Sequence, residues 1–210
     1  ADGDYLALVA RDGVTVLDQH PRGYPRPPEF PPQLSNISYG EGAGGTVGFM
    51  RPPTPGQTNG PAFAGIVADP VFSRVHGFAE EAFDLTLSTP TPGAVIRFTT
   101  DASEPSEVRG TVYSGPIRIS NTRVVRAAAF REGWAPTRVV TATYLFPSNV
   151  LSASVMRTSI TRNPLYEPRL RGALLDVPSV SLVTPTTYND LREERTSIEW
   201  LDPAGGPGFQ

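Results

Sequence analysis

Between Phe83 and Phe146 the chain is divided by glycine and proline into short alternating runs, and that rhythm leaves few folds open. In residues 83–88, Phe83, Leu85 and Leu87 fall on one face; in the next run Ala94, Ile96 and Phe98 do the same. A short run around Tyr113 and another at Ile117 to Ile119 follow. Residues 124–130 then set Val125, Ala127 and Ala129 against Arg126, and residues 139–146 close the series. The intervening Thr89-Pro90-Thr91-Pro92-Gly93, Asp101 to Pro105, Gly115-Pro116 and Glu132-Gly133 are turn sequences. Short strands spaced by turns roughly every ten residues predict an antiparallel β-sandwich over residues 69–146.

The flanks read differently. Residues 5–10 and 14–17 are strand-like runs around Asp12-Gly13, whose glycine supplies the positive φ of a tight hairpin turn. The first run is apolar on both faces, which predicts burial on two sides. Six prolines then fall within residues 21–32, a stretch unable to hold a sheet interior. Short strands are expected at 35–39 and 46–50, separated by Gly42, Gly44 and Gly45, and residues 52–61 have linker composition. So few strands in residues 1–61 do not close a stable sheet, and the chain reads as truncated at its N-terminal side. In residues 147–210, Glu167-Pro168 opens a short helix over 169–175 that Val177-Pro178 ends. Residues 179–183 read as a buried strand, 188–195 as a helical turn and 197–201 as an alternating strand, again too little for a core.

Composition agrees with a β-rich soluble protein. Glycine and proline number 20 and 23 among 210 residues, high but short of a low-complexity chain. All 18 basic residues are arginine and lie scattered, so no nucleic-acid footprint is expected. No apolar run is long enough to span a membrane. With no cysteine there is no disulfide framework and no thiolate chemistry. The predicted class is mainly β: an antiparallel immunoglobulin/fibronectin-like β-sandwich flanked by partial modules.

Candidate chemistry is sparse. The two histidines are His20, in the Pro-rich loop, and His76, before Gly77; neither lies near a G-x-S-x-G element, and both read as surface turn residues. Asp101, Ser103 and Glu104 lack the spacing of a calcium loop, so Asp101 is expected to accept amides of its own turn. Glu80 and Glu81, adjacent on a strand, point to opposite faces and do not make a glycosidase pair. Gly42 to Gly45 is followed by neither Lys-Ser nor a helix, so it is no phosphate loop. Trp134, Tyr113 and Phe130 are the aromatics that could stack on sugar rings. Catalytic residues, metal ligands and cofactors are expected to be absent.

Three resemblances add to this. Gly3 to Leu8, Asp12-Gly13, Pro32-Gln33, Ile37 to Gly40 and Pro53 to Asn59 resemble the C-terminal half of a lamin-tail domain, an immunoglobulin-like module. Pro70 to Ser73, Ile96 to Asp101, Ser103 to Ser106, Tyr113, Pro116-Ile117, Val125 to Ala127 and Thr143-Tyr144 resemble the chitobiase/β-hexosaminidase C-terminal module, also called the fibronectin type III-associated repeat. Ala102 stands where that family usually has glycine, implying a less tight turn. Leu174, Pro178 to Leu182 and Ser197 to Pro203 resemble the approach to a CotH-like region, whose phosphate-handling residues would lie beyond Gln210. The resemblances imply three parts, at 1–61, 69–146 and 147–210, of a secreted multi-domain bacterial protein at the cell surface or outside the cell. Its modules would act as spacers, in adhesion or in carbohydrate association. Partners would be neighbouring domains of the same chain and a polysaccharide or cell-surface polymer. The alternative is an accessory part of an enzyme, a CotH-type kinase-like protein or a polysaccharide hydrolase, with its catalytic residues elsewhere.

Overall fold

The computed structural model describes residues 6–20, 36–185, 196–206 and 209, so the Pro-rich stretch and the expected turn at 188–195 lie outside the described residues. The chain divides into two compact units, 1–67 with 131–135, and 68–130 with 136–210.

In the first unit, β1 (Leu6–Val9) and β2 (Val16–His20) form one antiparallel pair, and β3 (Ser38–Glu41) and β4 (Val47–Met50) another. The turn of the first hairpin is held by Asp12, whose carboxylate accepts the Val14 amide at 2.9 Å and the Thr15 amide at 2.8 Å, with Gly13 at φ +74°. Expected burial of both faces of β1 does not hold: Leu8 is 62 % and Val9 42 % exposed. Pairing satisfies the backbone of a two-stranded ribbon but covers neither of its faces. The Pro-rich residues 52–61 do not hang free. Asn59 donates to the Glu41 carbonyl, Gly60 accepts the Ala43 amide, and Phe63 exchanges two backbone hydrogen bonds with Phe49. A Cβ on Gly65 would stand 2.6 Å from the Trp134 ring, so only glycine lets that indole lie flat against the backbone.

The second unit carries the sandwich. Its strands are β5 (Val71–Phe72), β6 (Gly77–Phe78), β7 (Phe83–Leu85), β8 (Leu87–Ser88), β9 (Val95–Thr99), β10 (Thr111–Val112), β11 (Ile117–Ile119), β12 (Arg123–Phe130) and β13 (Val140–Leu145). One layer is a five-stranded sheet in the order β10-β9-β12-β13-β6, antiparallel except for the parallel β13-β6 pair. The other is made from the pairs β11-β7 and β5-β8. The predicted 83–88 strand is split at Thr86, whose amide donates to Ser73 Oγ, so its halves pair with different partners. Leu85, Leu87, Ile117 and Ile119 on that layer, and Ile96, Val125, Ala127, Ala129 and Tyr144 on the sheet, are all buried. Each large one stabilises the fold by about 1.5–3 kcal/mol. The mainly-β sandwich expected from the alternation is present.

After β13 come α1 (Pro147–Ser152), α2 (Thr158–Thr161) and α3 (Glu167–Leu175), the last starting at the predicted Glu167-Pro168. Then β14 (Ser179–Val183) pairs antiparallel with β15 (Ser197–Leu201). The buried reading of 179–183 is half right. Val183 is buried, but Val180 and Leu182 are 54 % and 66 % exposed, on the same face as Ile198 and Trp200.

Candidate functional site

Strand β12 is flanked by two neighbours, and alternation gives the five-stranded sheet two unlike faces. The core face is apolar. The opposite face carries Arg126 from β12 and, on β13, Thr141 and Thr143, because residues directly paired across an antiparallel ladder point the same way. Such a face usually meets water. Here it is covered: Arg126 is 2 %, Thr141 1 % and Thr143 3 % exposed.

Over β13 the cover is the β14-β15 hairpin. Alternation on β15 turns Ser197, Glu199 and Leu201 inward. Ser197 Oγ lies 2.9 Å from Thr141 Oγ1, and Ser181 Oγ of β14 2.7 Å from Thr143 Oγ1. Glu199 is fully buried. Its Oε1 accepts the Thr143 amide at 3.0 Å, its Oε2 accepts the Thr143 hydroxyl, and His76 Nδ1 stands 3.0 Å from Oε1. The Thr143 amide needs this carboxylate, because β6 pairs with β13 only at Tyr144 and Leu145 and leaves the edge at Thr143 without a strand. His76, immediately before β6, is thereby drawn inside: its side chain is 9 % exposed. This corrects the surface-turn reading of His76. Below the seam the Tyr144 hydroxyl donates to the Arg74 carbonyl at 2.8 Å, and burial pushes its phenol well above the usual range. Arg74 in turn lies over the Phe83 ring.

Over β12 the cover is the 101–109 loop. Arg126 donates to the Ala102 carbonyl at 2.8 Å and to Glu104 at 3.0 Å, fixing that loop on the sheet.

A buried carboxylate beside a histidine invites a catalytic reading, and the geometry argues against it. In a nucleophilic triad the imidazole sits between hydroxyl and carboxylate. Here the carboxylate sits between hydroxyl and imidazole, so the Thr143 oxygen is a donor to Glu199 rather than a group being deprotonated by His76. His76 Nε2 is buried without a hydrogen-bond partner. Two open grooves of about 430 and 440 Å³ occur in this unit, and neither is lined by His76 or Glu199. The arrangement docks a hairpin.

Tyr113, half-buried, meets the Phe98 ring edge-on, the centroids being 6.5 Å apart. Phe130, half-buried, ends β12 opposite Val95. Trp134 belongs to the first unit, packed on Gly65 with the Arg131 guanidinium 4.2 Å from its ring. Asp101 accepts the Ser103 amide at 3.1 Å and hydroxyl at 2.6 Å, which holds its carboxyl below the usual range. Ala102 adopts a left-handed φ of +66°, a backbone conformation that favours glycine. Glu80 and Glu81 are exposed, Glu80 pairing with Arg171 of α3. The backbone of His20 ends β2; its side chain lies outside the described residues. Among the described residues no cluster of three or more His, Asp or Glu could hold a metal ion, and no helix is long and apolar enough to cross a membrane.

Residues 76–141 match the family model of the chitobiase/beta-hexosaminidase C-terminal domain. The match starts at His76 and takes in β6 to β12 and the first two residues of β13; β5, the rest of β13, β14 and β15 lie outside it. No curated protein and no solved structure matches the chain.

Proposed function

We propose that these residues are non-catalytic modules of a secreted, multi-domain bacterial protein, lying outside the cell or on its surface. They space neighbouring domains, adhere, or associate with a polysaccharide or cell-surface polymer. The observation that carries this reading is the closure of the seam: the chain's buried carboxylate–imidazole pair is consumed in holding β14-β15 to β13, and Glu199 presents no surface to a substrate. In this reading residues 1–61 are the C-terminal half of a lamin-tail module and residues 147–210 the start of a CotH-like region. Trp134, Tyr113 and Phe130 are candidate contacts to a sugar. The family match favours a second reading, an accessory part of a polysaccharide-cleaving enzyme whose chemistry lies elsewhere; a CotH-type kinase-like parent is its counterpart on the other flank.

Co-sedimentation with chitin, cellulose and peptidoglycan, run beside turnover assays on chitooligosaccharides and with ATP, tests it. Retention on a polymer without turnover is expected. Turnover abolished by His76→Ala would place chemistry at the seam and overturn the non-catalytic reading; absence of retention on every polymer would leave the spacer role alone.

A further inference from the structure

The groove of about 430 Å³ in the second unit runs between the start of β13 and β15. Its lining includes the hydroxyl-bonded Thr141 and Ser197, the ion pair of Asp69 and Arg138, and the apolar Ile198 and Phe209. Asp69 takes three contacts from Arg138: the backbone amide at 3.3 Å, Nε at 3.3 Å and Nη2 at 2.9 Å. The pair is therefore set in one geometry while its guanidinium stays 78 % exposed. Phe209, 56 % exposed, stacks on Trp200 with centroids 6.1 Å apart, and its carbonyl accepts the Trp200 amide at 3.0 Å. A ring held at both its face and its backbone is a fixed apolar platform.

From this arrangement we infer that the groove binds a neutral oligosaccharide, an inference that rests on the polymer-association reading above and gives it a place. The charges of Asp69 and Arg138 cancel, so an anion would have to displace Asp69 and a cation would have to displace Arg138. What the pair still offers is hydrogen-bond capacity of both kinds, since a carboxylate has about four acceptor sites and a guanidinium five donors. Neighbouring hydroxyls of a sugar take both at once, while the C–H face of the ring lies on Phe209. The volume is in the range of small-ligand sites, about 300–1,000 Å³. An extended peptide fits less well. Strand addition would need the edge of β13 at Thr141, which is 1 % exposed beneath β15.

Calorimetric titration of the whole chain with hexasaccharides of N-acetylglucosamine and of glucose, with an unstructured hexapeptide as the opposing probe, tests the inference. Binding of a hexasaccharide is expected, weakened at least tenfold by Phe209→Ala and by Arg138→Gln with the thermal midpoint unchanged. In a Trp134→Phe background the same sugar should shift Trp200 emission. Saccharide binding that survives both groove variants and is abolished by Tyr113→Ala or Trp134→Ala would overturn the groove and keep polymer association. Retention on no polymer and binding of no hexasaccharide would remove both. Binding of the hexapeptide alone, lost in Phe209→Ala, would assign the groove to a peptide and overturn the inference.

Discussion

Glu199→Ala removes the carboxylate that joins β15, β13 and His76. It leaves the Thr143 amide and the His76 imidazole without their acceptor, while the Thr143 hydroxyl keeps Ser181 at 2.7 Å. Each orphaned buried donor costs about 1–3 kcal/mol, so the pair costs about 2–6 kcal/mol. The apolar anchors of the hairpin are Leu201 and Val183, both buried, contributing together about 3–6 kcal/mol at about 1.5–3 kcal/mol each. The loss is thus of the same size as what remains to hold the hairpin, and an isolated two-stranded ribbon is marginal in water. The sandwich should stay folded while the hairpin releases. Amide hydrogen exchange reads this directly: protection across β14 and β15 should fall at least roughly thirtyfold, the equivalent of the lower bound of about 2 kcal/mol, with β9 and β12 unaffected. A His76→Leu, Glu199→Met double variant should recover part of the protection, because it strands no donor at His76 while the Thr143 amide still lacks its acceptor. Unchanged β14-β15 protection in Glu199→Ala would refute the seam as the anchor, and loss spread evenly over β9 and β12 would refute the local release.

Three smaller outcomes follow from local geometry. The Asp12 carboxyl is held down to about 2, chiefly by the Thr15 hydroxyl and then by the Thr15 and Val14 amides. Its folded-state value is depressed, so its contribution is complete above the ordinary 3.8 and is lost as pH falls toward 2; Val14 and Thr15 amide shifts should titrate in that window, and Asp12→Asn should abolish the titration. Gly65→Ala drives a methyl into the Trp134 ring and should cost about 1–3 kcal/mol in urea unfolding, with Trp134→Leu relieving part of it. Ala102→Gly should stabilise by about 0.5–1 kcal/mol, since a left-handed φ of +66° strains alanine and not glycine; a lowered midpoint would contradict that.

The sandwich was legible because its core face alternates: Ile96, Val125, Ala127 and Ala129 recur at period two between turn residues, and the helix at Glu167-Pro168 announced itself by its proline. The seam was not. Arg126, Thr141 and Thr143 look from sequence like an ordinary solvent face, and alternation states which way a side chain points without stating what covers it. The cover comes from β15, far along the chain in a segment read as another module, so His76 had no visible partner. One signal was available: residues 197–201 place Glu199 on the same face as Leu201 and opposite Ile198 and Trp200, an unusual position for a carboxylate that expects water. The exposed faces of β1 and β14 were misread for the converse reason, since an apolar run shows a strand's preference for burial and not the presence of something to bury it. The short α1 and α2 carry no apolar periodicity to betray them.

Whether the polar face of the five-stranded sheet is sealed can be measured at one atom pair, the His76 imidazole beside Glu199. Diethyl pyrocarbonate labelling of the intact chain at neutral pH, mapped by mass spectrometry, should modify His76 only at the rate of hairpin opening, far behind the urea-unfolded chain, with Glu199→Ala closing the gap. Rapid labelling of His76 in the folded wild-type chain would show an open imidazole within reach of small molecules and would contradict the non-catalytic account.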